Sequence, residues 1–384
     1  MINTINRTIK HITYKEQWII YILLNFLFIW KYMSRTAYNP LIGIAAFLAV
    51  LMICIGIYRS IIKKSCLWAK SSLIMLFLIA CALITVILKH VDPLSVNVDR
   101  WSATSYFLDG LFAGDYPYGI HTHVSESNFP SPSPLWYYIN IPFWLLGDVG
   151  IGLIFYLLLL ITSVYWFSGS YKQTLLFCLL LLISPAYWWE VTVRSDGFSN
   201  AIIIFAIILC FEKHKWSFQK HWILTSLICG MVAVTRLWAP IAPAIYLAKS
   251  FFKIPYHRKV FILSIILVVM FIFFAPYIFW DTDNWIFFSR NPYMSETSTG
   301  NGWVLLAMIA IALVLAFKYK DFSQYNRYTS CFFTLFFLVS LVYNHLAYHA
   351  DISFFEDADF DISYFSLALP YCLYSLTEPL SKKS

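Results

Sequence analysis

Apolar stretches of roughly 15 to 20 residues, closed by charges or turn formers, recur along the whole chain, and that length suits a helix crossing a bilayer. About twelve can be drawn by this rule. They fall near Trp18 to Trp30, Leu41 to Tyr58, Ser71 to Leu88, Val149 to Phe167, Thr174 to Trp188, Phe198 to Phe211, Trp222 to Thr235, Leu237 to Ala248, Val260 to Phe279, Trp303 to Phe317, Thr329 to Leu346 and Ile362 to Leu376. The pair split at Arg236 has a second reading, because Ala239-Pro240-Ile241-Ala242-Pro243 also suits a kink inside one long helix. Leu135 to Leu146 is apolar, aromatic and interrupted by Pro142, and reads as lying on the membrane rather than crossing it. The pattern predicts an all-α polytopic membrane protein, a single transmembrane domain over residues 1–384.

Composition strengthens this reading: 60% of the 384 residues are hydrophobic and only 12% charged, which excludes both a soluble enzyme and a disordered chain. The formal charge of +7 would suit nucleic acid or acidic lipid if the basic residues formed one patch, but they are dealt out among loops. Nucleic acid is therefore not an expected partner. With the N-terminus inside, twenty of the 27 lysines and arginines fall on one side. The other side receives Lys31, Arg35, Lys89, Arg100, Arg194, Arg236 and Arg290. Short inner loops retain positive charge, so both termini are expected in the cytoplasm, with a bacterial inner membrane as the setting. Of the twenty acids only Glu16, Glu212, Asp321 and Glu378 fall inside, which makes the outer face acidic.

Seven of the eight cysteines sit within predicted spans and Cys66 in an inner loop, so they read as small core residues. The chain has no heptads, helical repeat, glycine-rich phosphate loop or CxxC spacing. The basic run before Trp18 lacks a small-residue cleavage site and reads as retained cytoplasm ahead of an anchor.

The candidate chemistry lies in the outer loops. The interval Lys89 to Asp148 is too long for a connector and must have structure of its own. It opens Val-Asn-Val-Asp99-Arg100-Trp101, and Trp101, Ser105, Leu108 and Phe112 recur on one helical face, as expected of a helix at an interface. Asp99 stands at the head of that helix, where a plain N-cap is the competing reading. His121, His123 and Glu126 follow, then a proline-rich run.

Asp99, Tyr106, Gly114, Pro117-Tyr118 and Ser133-Pro134-Leu135-Trp136-Tyr137-Tyr138 together resemble the first outer loop of integral-membrane glycosyltransferases of the GT-C fold, the mannosyltransferase-like enzymes that use polyprenyl-phosphate sugars. The resemblance implies interfacial helices in this loop, a catalytic acid near the membrane surface, and a polyprenyl-phosphate-linked donor. By position Asp99 would be that acid. The chemistry agrees: a sugar leaving phosphate needs a carboxylate to take the acceptor's proton and cationic support for the departing phosphate.

Arg194 and Arg236 are the best-placed phosphate partners, with Arg100 beside Asp99 as a third, since an arginine fork suits phosphate oxygens. An ion pair of Arg194 with Glu190 or Asp196 is the structural alternative. His345, His349, Asp359, Asp361 and Tyr364 are candidate contacts to an acceptor or sugar, because the last outer loop, 348–361, and its flanks interleave acids with aromatics, and Glu190 and Asp196 beside Arg194 are further candidates. His345 reads equally as a packed histidine within its span. The same oxygen-rich loop suits Mg²⁺ or Ca²⁺, although no ligand spacing defines a metal site. Asp281, Asp283, Trp285, Arg290 and Glu296 in the preceding loop are consistent with acceptor contacts or plain solvation.

The expected activity is transfer of a monosaccharide from a polyprenyl-phosphate donor to an outer-face acceptor, either a lipid-linked oligosaccharide or a surface polysaccharide of the cell envelope. A polysaccharide polymerase or ligase is the alternative, though its large loop would come late in the chain. A flippase or other transporter ranks below both, since no internal repeat is present.

Overall fold

The computed structural model describes residues 15–62, 66–286, 290–291, 302–348 and 361–378, and their regular structure is helical throughout. In chain order the helices are α1 (Lys15–Met33), α2 (Pro40–Ile62), α3 (Cys66–His90), α4 (Arg100–Ala113), α5 (Pro134–Leu145), α6 (Gly152–Ser168), α7 (Tyr171–Leu182) and α8 (Pro185–Thr192). They continue with α9 (Asp196–His214), α10 (Trp222–Ala233), α11 (Ile241–Phe252), α12 (Tyr256–Trp280), α13 (Thr282–Ile286), α14 (Gly302–Lys318), α15 (Phe322–Tyr348) and α16 (Leu369–Thr377). Short 3-10 turns cover Pro93–Ser95, Pro117–Gly119, Val149–Ile151 and Ile362–Ala368.

Among the described residues, five helices are long and apolar enough to cross a membrane, or six if the bent pair α7 and α8 counts as one. That is fewer than the twelve the hydrophobic pattern suggests, and local causes explain the difference. The stretch from Thr174 to Trp188 is not straight, because α7 and α8 meet at 67°. Trp222 to Thr235 and Leu237 to Ala248 are two short helices, α10 and α11, which settles the choice against one kinked helix. α14 is also short. α15 is long enough, but Gln324, Asn326, Arg327, Thr329 and Ser330 in its first half dilute its hydropathy. The stretch Ile362 to Leu376 divides into a 3-10 turn and α16. At 1.5 Å per residue α5 is about 18 Å long, short of the hydrocarbon thickness.

The chain packs as two compact units. The first comprises Met1–Ala82, Ile161–Glu190 and Tyr319–Ser384, with α16 against α1, α7 and α15. Its bend is held by neutral polar groups. Asn25 Oδ1 accepts from Ser184 Oγ at 2.5 Å and from the Ala186 amide at 3.3 Å, while the Tyr21 hydroxyl donates to the Leu180 carbonyl at 2.7 Å. Backbone groups freed where a helix breaks are thereby satisfied without water. A second neutral cluster centres on Gln17, whose Oε1 accepts from Ser330 Oγ at 2.6 Å.

The second unit comprises Leu83–Leu160 and Val191–Lys318. α10 lies against α12, and close approach is possible because a Cβ at Gly230 would stand only 2.8 Å from Val269 Cβ. The interval 89–148 has the structure of its own that its length demands. Its core is α4, in contact with α5, α9 and the 3-10 turns. Gly114 ends α4 in the left-handed conformation at φ 86°, which glycine adopts without a Cβ penalty. α4 is not the one-faced interfacial helix expected: Ser105 and Leu108 are buried, but so are Ala103, Thr104 and Phe107, whereas Phe112 is exposed. Tyr118 seals this core, edge-on to Phe107 and Tyr277, its hydroxyl donating to the Pro132 carbonyl at 3.0 Å.

Candidate functional site

Asp99 occupies the N-cap position of α4, yet its side chain makes no capping hydrogen bond, and the residue is half-exposed. Its neighbours hold the turn that carries it. Ser102 Oγ lies 3.2 Å from the Asp99 carbonyl and 2.6 Å from His123 Nδ1, while His123 Nε2 lies 3.0 Å from the Val96 carbonyl. With the ring proton on Nε2, His123 donates to Val96 and accepts from Ser102, clasping the chain on both sides of Asp99. Neither Ser102 nor the role of His123 is legible in the sequence, because the two are brought together only by the fold.

Asp196 is the hub of a buried ionic centre. It follows Ser195, the N-cap of α9, whose side chain accepts from the Phe198 amide at 3.3 Å. Arg100 Nη1 donates to Asp196 Oδ1 at 3.1 Å, and Arg236 Nη2 donates to Asp196 Oδ2. All three side chains are at most 8% exposed. Arg236 Nη1 also donates to Ser131 Oγ at 2.9 Å. The loop, α9 and the α10–α11 connection are thus pinned to one carboxylate. Arg100 is turned to Asp196, so the expectation that it acts beside Asp99 gives way to a cross-helix ion pair. Asp196, expected to contact sugar, is itself the arginines' counter-ion.

Arg194 makes a different pair from either one expected. Its Nε donates to Asp148 Oδ2 at 3.2 Å, and its Nη2 to the carbonyls of Leu88 and Val91 at 3.0 and 3.2 Å. Asp148 Oδ1 accepts from Trp101 Nε1 at 2.9 Å and from the Gly150 amide at 2.7 Å. Arg194 adopts φ 49°, a left-handed conformation that a non-glycine residue holds only where its surroundings insist. Space is made by Gly150, where a Cβ would stand 2.9 Å from Arg194 Cδ and Nε. Neither Asp148 nor Gly150 is legible as a site residue in the sequence. Their one local signal is an acid followed by glycine at the start of an apolar run, and that signal suits a turn equally well.

Arg194 Nη1 is buried and donates to no described group, and the same holds for Trp136 Nε1. Both residues line a cleft of about 240 Å³, counted with the open space at its mouth, together with Asn140, Tyr156, Asp196 and Ser199. Tyr156 donates to Asn140 Oδ1 at 3.1 Å, and Asn140 Nδ2 to the Trp136 carbonyl at 2.8 Å, so the wall is rigid. Most of that volume is open mouth, and the space a water-sized group can occupy is about 10 Å³, room for about one water.

Glu190, His345, Asp361 and Tyr364 belong to the first unit and are described separately. Glu190 is buried on α8. His345 is half-buried near the end of α15. Asp361 caps the 3-10 turn by accepting from the Ser363 amide at 2.8 Å, and the Tyr364 ring stacks on Phe337. His349, Asp359 and almost all of the acidic loop lie outside the described residues, as does Glu296. Among the described residues no cluster of three metal-ligating side chains occurs. In the preceding loop Asp281 accepts from the Asn284 side chain and amide, and these bonds hold its carboxyl below the usual carboxylate range.

No protein-family model, curated protein or solved structure matches this chain.

Proposed function

We infer that the chain is a glycosyltransferase that moves a monosaccharide from a polyprenyl-phosphate donor to a glycan or lipid-linked acceptor at the outer membrane face. The observation that carries this reading is Asp99: a half-exposed carboxylate at the head of α4, one residue from an arginine in a buried ionic centre. In the proposed reaction Asp99 accepts the proton of the acceptor hydroxyl as that oxygen attacks the anomeric carbon, and the polyprenyl phosphate departs with the bonding electron pair. Arg194 supports the leaving phosphate through Nη1, the donor left over after its pairing with Asp148. Arg236 and Arg100 support it electrostatically from the Asp196 centre, a role that does not require either to release its carboxylate. Lipid bilayer is the expected surroundings, since five to six described helices are long and apolar enough to span it.

The test compares lipid-linked and surface glycans by mass spectrometry in cells with the intact gene, no gene, or Asp99→Asn. The expected outcome is loss of one sugar from an otherwise complete glycan in both defective strains, with the variant still inserted and folded. Full glycans in the Asp99→Asn strain would refute the assignment. Chains cut to single repeat units would instead identify a polymerase. The bent pair α7 and α8 is the feature that favours transport, since broken spans line substrate paths in transporters. Complete lipid-linked units accumulating on the inner face would be its signature.

A further inference from the structure

Basic residues that the sequence deals out among separate loops are gathered by the fold at one end of α9, α10, α11 and α12, all in the second unit, into a second concentration of charge. Between Gly197 and Trp280 the chain has one acid, Glu212, against eight lysines and arginines, seven of which fall in or beside the α9–α10 and α11–α12 connections. The two connections touch through Phe218 and Phe251, whose ring centroids are 5.7 Å apart. Phe317 meets Phe252 at 5.3 Å and brings Lys318 to the same end. Glu212 is already engaged, paired with Lys215 and accepting from the Tyr246 hydroxyl at 2.8 Å.

The helix ends account for part of this charge and leave the rest over. Lys213 and Lys249 stand in the last turns of α9 and α11, where the negative end of each helix favours a cation. Lys253 is the C-cap of α11 and shares its negative end, whereas Lys220, Arg258 and Lys259 lie at no such end; no described carboxylate pairs with any of the four. Arg258 and Lys259 stand in the first turn of α12, the end where a cation is repelled. Three cations left over at this end, with Lys253 beside them, call for an anion from outside the chain.

Apolar surface beside them indicates what carries that anion. Tyr256 is 80% exposed and Phe252 about half exposed, while Lys259 Nζ lies 5.6 Å from the Phe252 ring. Directly beyond, Ile223 and Leu224 on α10 and Val260 and Phe261 on α12 are exposed. A phosphorylated peptide or a nucleic acid would cover the cations and leave this strip bare. We propose that this end of the second unit is a binding site for an anionic phospholipid, its phosphate held by Lys220, Lys253, Arg258 and Lys259 and its acyl chains along α10 and α12. Aromatic and basic side chains at the ends of apolar helices are the chemistry of that boundary. The proposal is independent of the glycosyltransferase reading.

The experiment uses the full-length protein in bilayer discs of phosphatidylcholine with a rising fraction of phosphatidylglycerol, reading the thermal midpoint and, by native mass spectrometry, the lipid retained. Phosphatidylglycerol is expected to raise the midpoint saturably. The triple variant Lys253→Gln, Arg258→Gln, Lys259→Gln should raise the half-saturating fraction about tenfold or more. A control triple, Arg59→Gln, Lys70→Gln, Lys172→Gln, should leave it unchanged. If the first triple does not fold, each of its single substitutions should raise the fraction about threefold. Equal response to both lipids, an equal loss in the control triple, unaltered binding in the variants, or the same stabilisation by inorganic phosphate alone would each overturn the proposal.

Discussion

The hydrogen-bonded centres of the two units are built in opposite ways. Lys31, Glu190 and Glu378 are buried in the first, but the groups that serve its breaks and seams are neutral: Asn25, Ser184 and Tyr21 at the bend between α7 and α8, and Gln17 and Ser330 between α1 and α15. In the second they are ionic, with three arginines shared between Asp196 and Asp148. Neutral hydrogen bonds repair what a broken helix leaves unsatisfied, and apolar substitution of both partners can be nearly neutral. Buried charges are different, because removing one partner strands the other at a large cost. An apolar core serves folding as well as a buried ion pair does, so a charged centre that persists beside a cleft invites a functional reading.

The largest effect should come from Asp196→Ala, which leaves Arg100 and Arg236 without the carboxylate they share. A loss of about 3 to 5 kcal/mol is expected, read as a fall in the midpoint of denaturant or thermal unfolding in detergent. The sharper form of the test removes the centre entirely. Arg100→Met, Asp196→Leu and Arg236→Met together should recover most of that stability while sugar transfer stays absent. Recovery of both would make the centre purely structural and erase the contrast between the units.

Next comes the neutral side. Asn25→Leu orphans the Ser184 hydroxyl and the Ala186 amide, both buried, for about 1 to 3 kcal/mol. Because the bend is local, hydrogen exchange should accelerate first at residues 184–187. Exchange that rose uniformly would mean that the bend is no weaker than the rest of its unit.

These contrasts mark where the sequence stops being informative. The apolar helices α2, α3, α6, α9 and α12 are legible because each is a long run with few polar residues. α7 and α8, α10 and α11, and the 3-10 turn before α16 are not, since a hydropathy window averages over a break that Ser184-Pro185 or Arg236 introduces. Candidate arginines are legible from the rarity of charge within apolar sequence. Their partners are not: Asp148 is 46 residues from Arg194 and Asp196 is 96 from Arg100, so only folding selects them. Asp99 is found at the expected helix start, but its lack of a capping bond depends on a local ψ of 3° that no residue pattern specifies.

Gly150→Ala probes the Arg194 side of the ionic unit. A Cβ there would meet Leu88 Cδ2 at 2.7 Å and Arg194 Cδ and Nε at 2.9 Å, and the backbone at Asp148 and Gly150 is tied by hydrogen bonds. The arginine must shift, for about 1 to 3 kcal/mol of overpacking. If Arg194 positions phosphate, transfer should fall by more than the stability loss explains, with KM for the lipid-linked donor rising. A fall confined to stability would leave Arg194 as a structural tie between α9 and the end of α3.

The smallest effect expected is from His123→Ala. The substitution removes the donor to the Val96 carbonyl and the acceptor of the Ser102 hydroxyl. Ser102 has a second acceptor 3.2 Å away, the Asp99 carbonyl, and can turn to it, so only one hydrogen bond is lost outright. About 1 kcal/mol follows, close to the net worth of a single bond. Hydrogen exchange at residues 96–103 checks this: it should be faster in His123→Ala than in the parent. Unchanged exchange there would mean that the turn carrying Asp99 holds without the clasp.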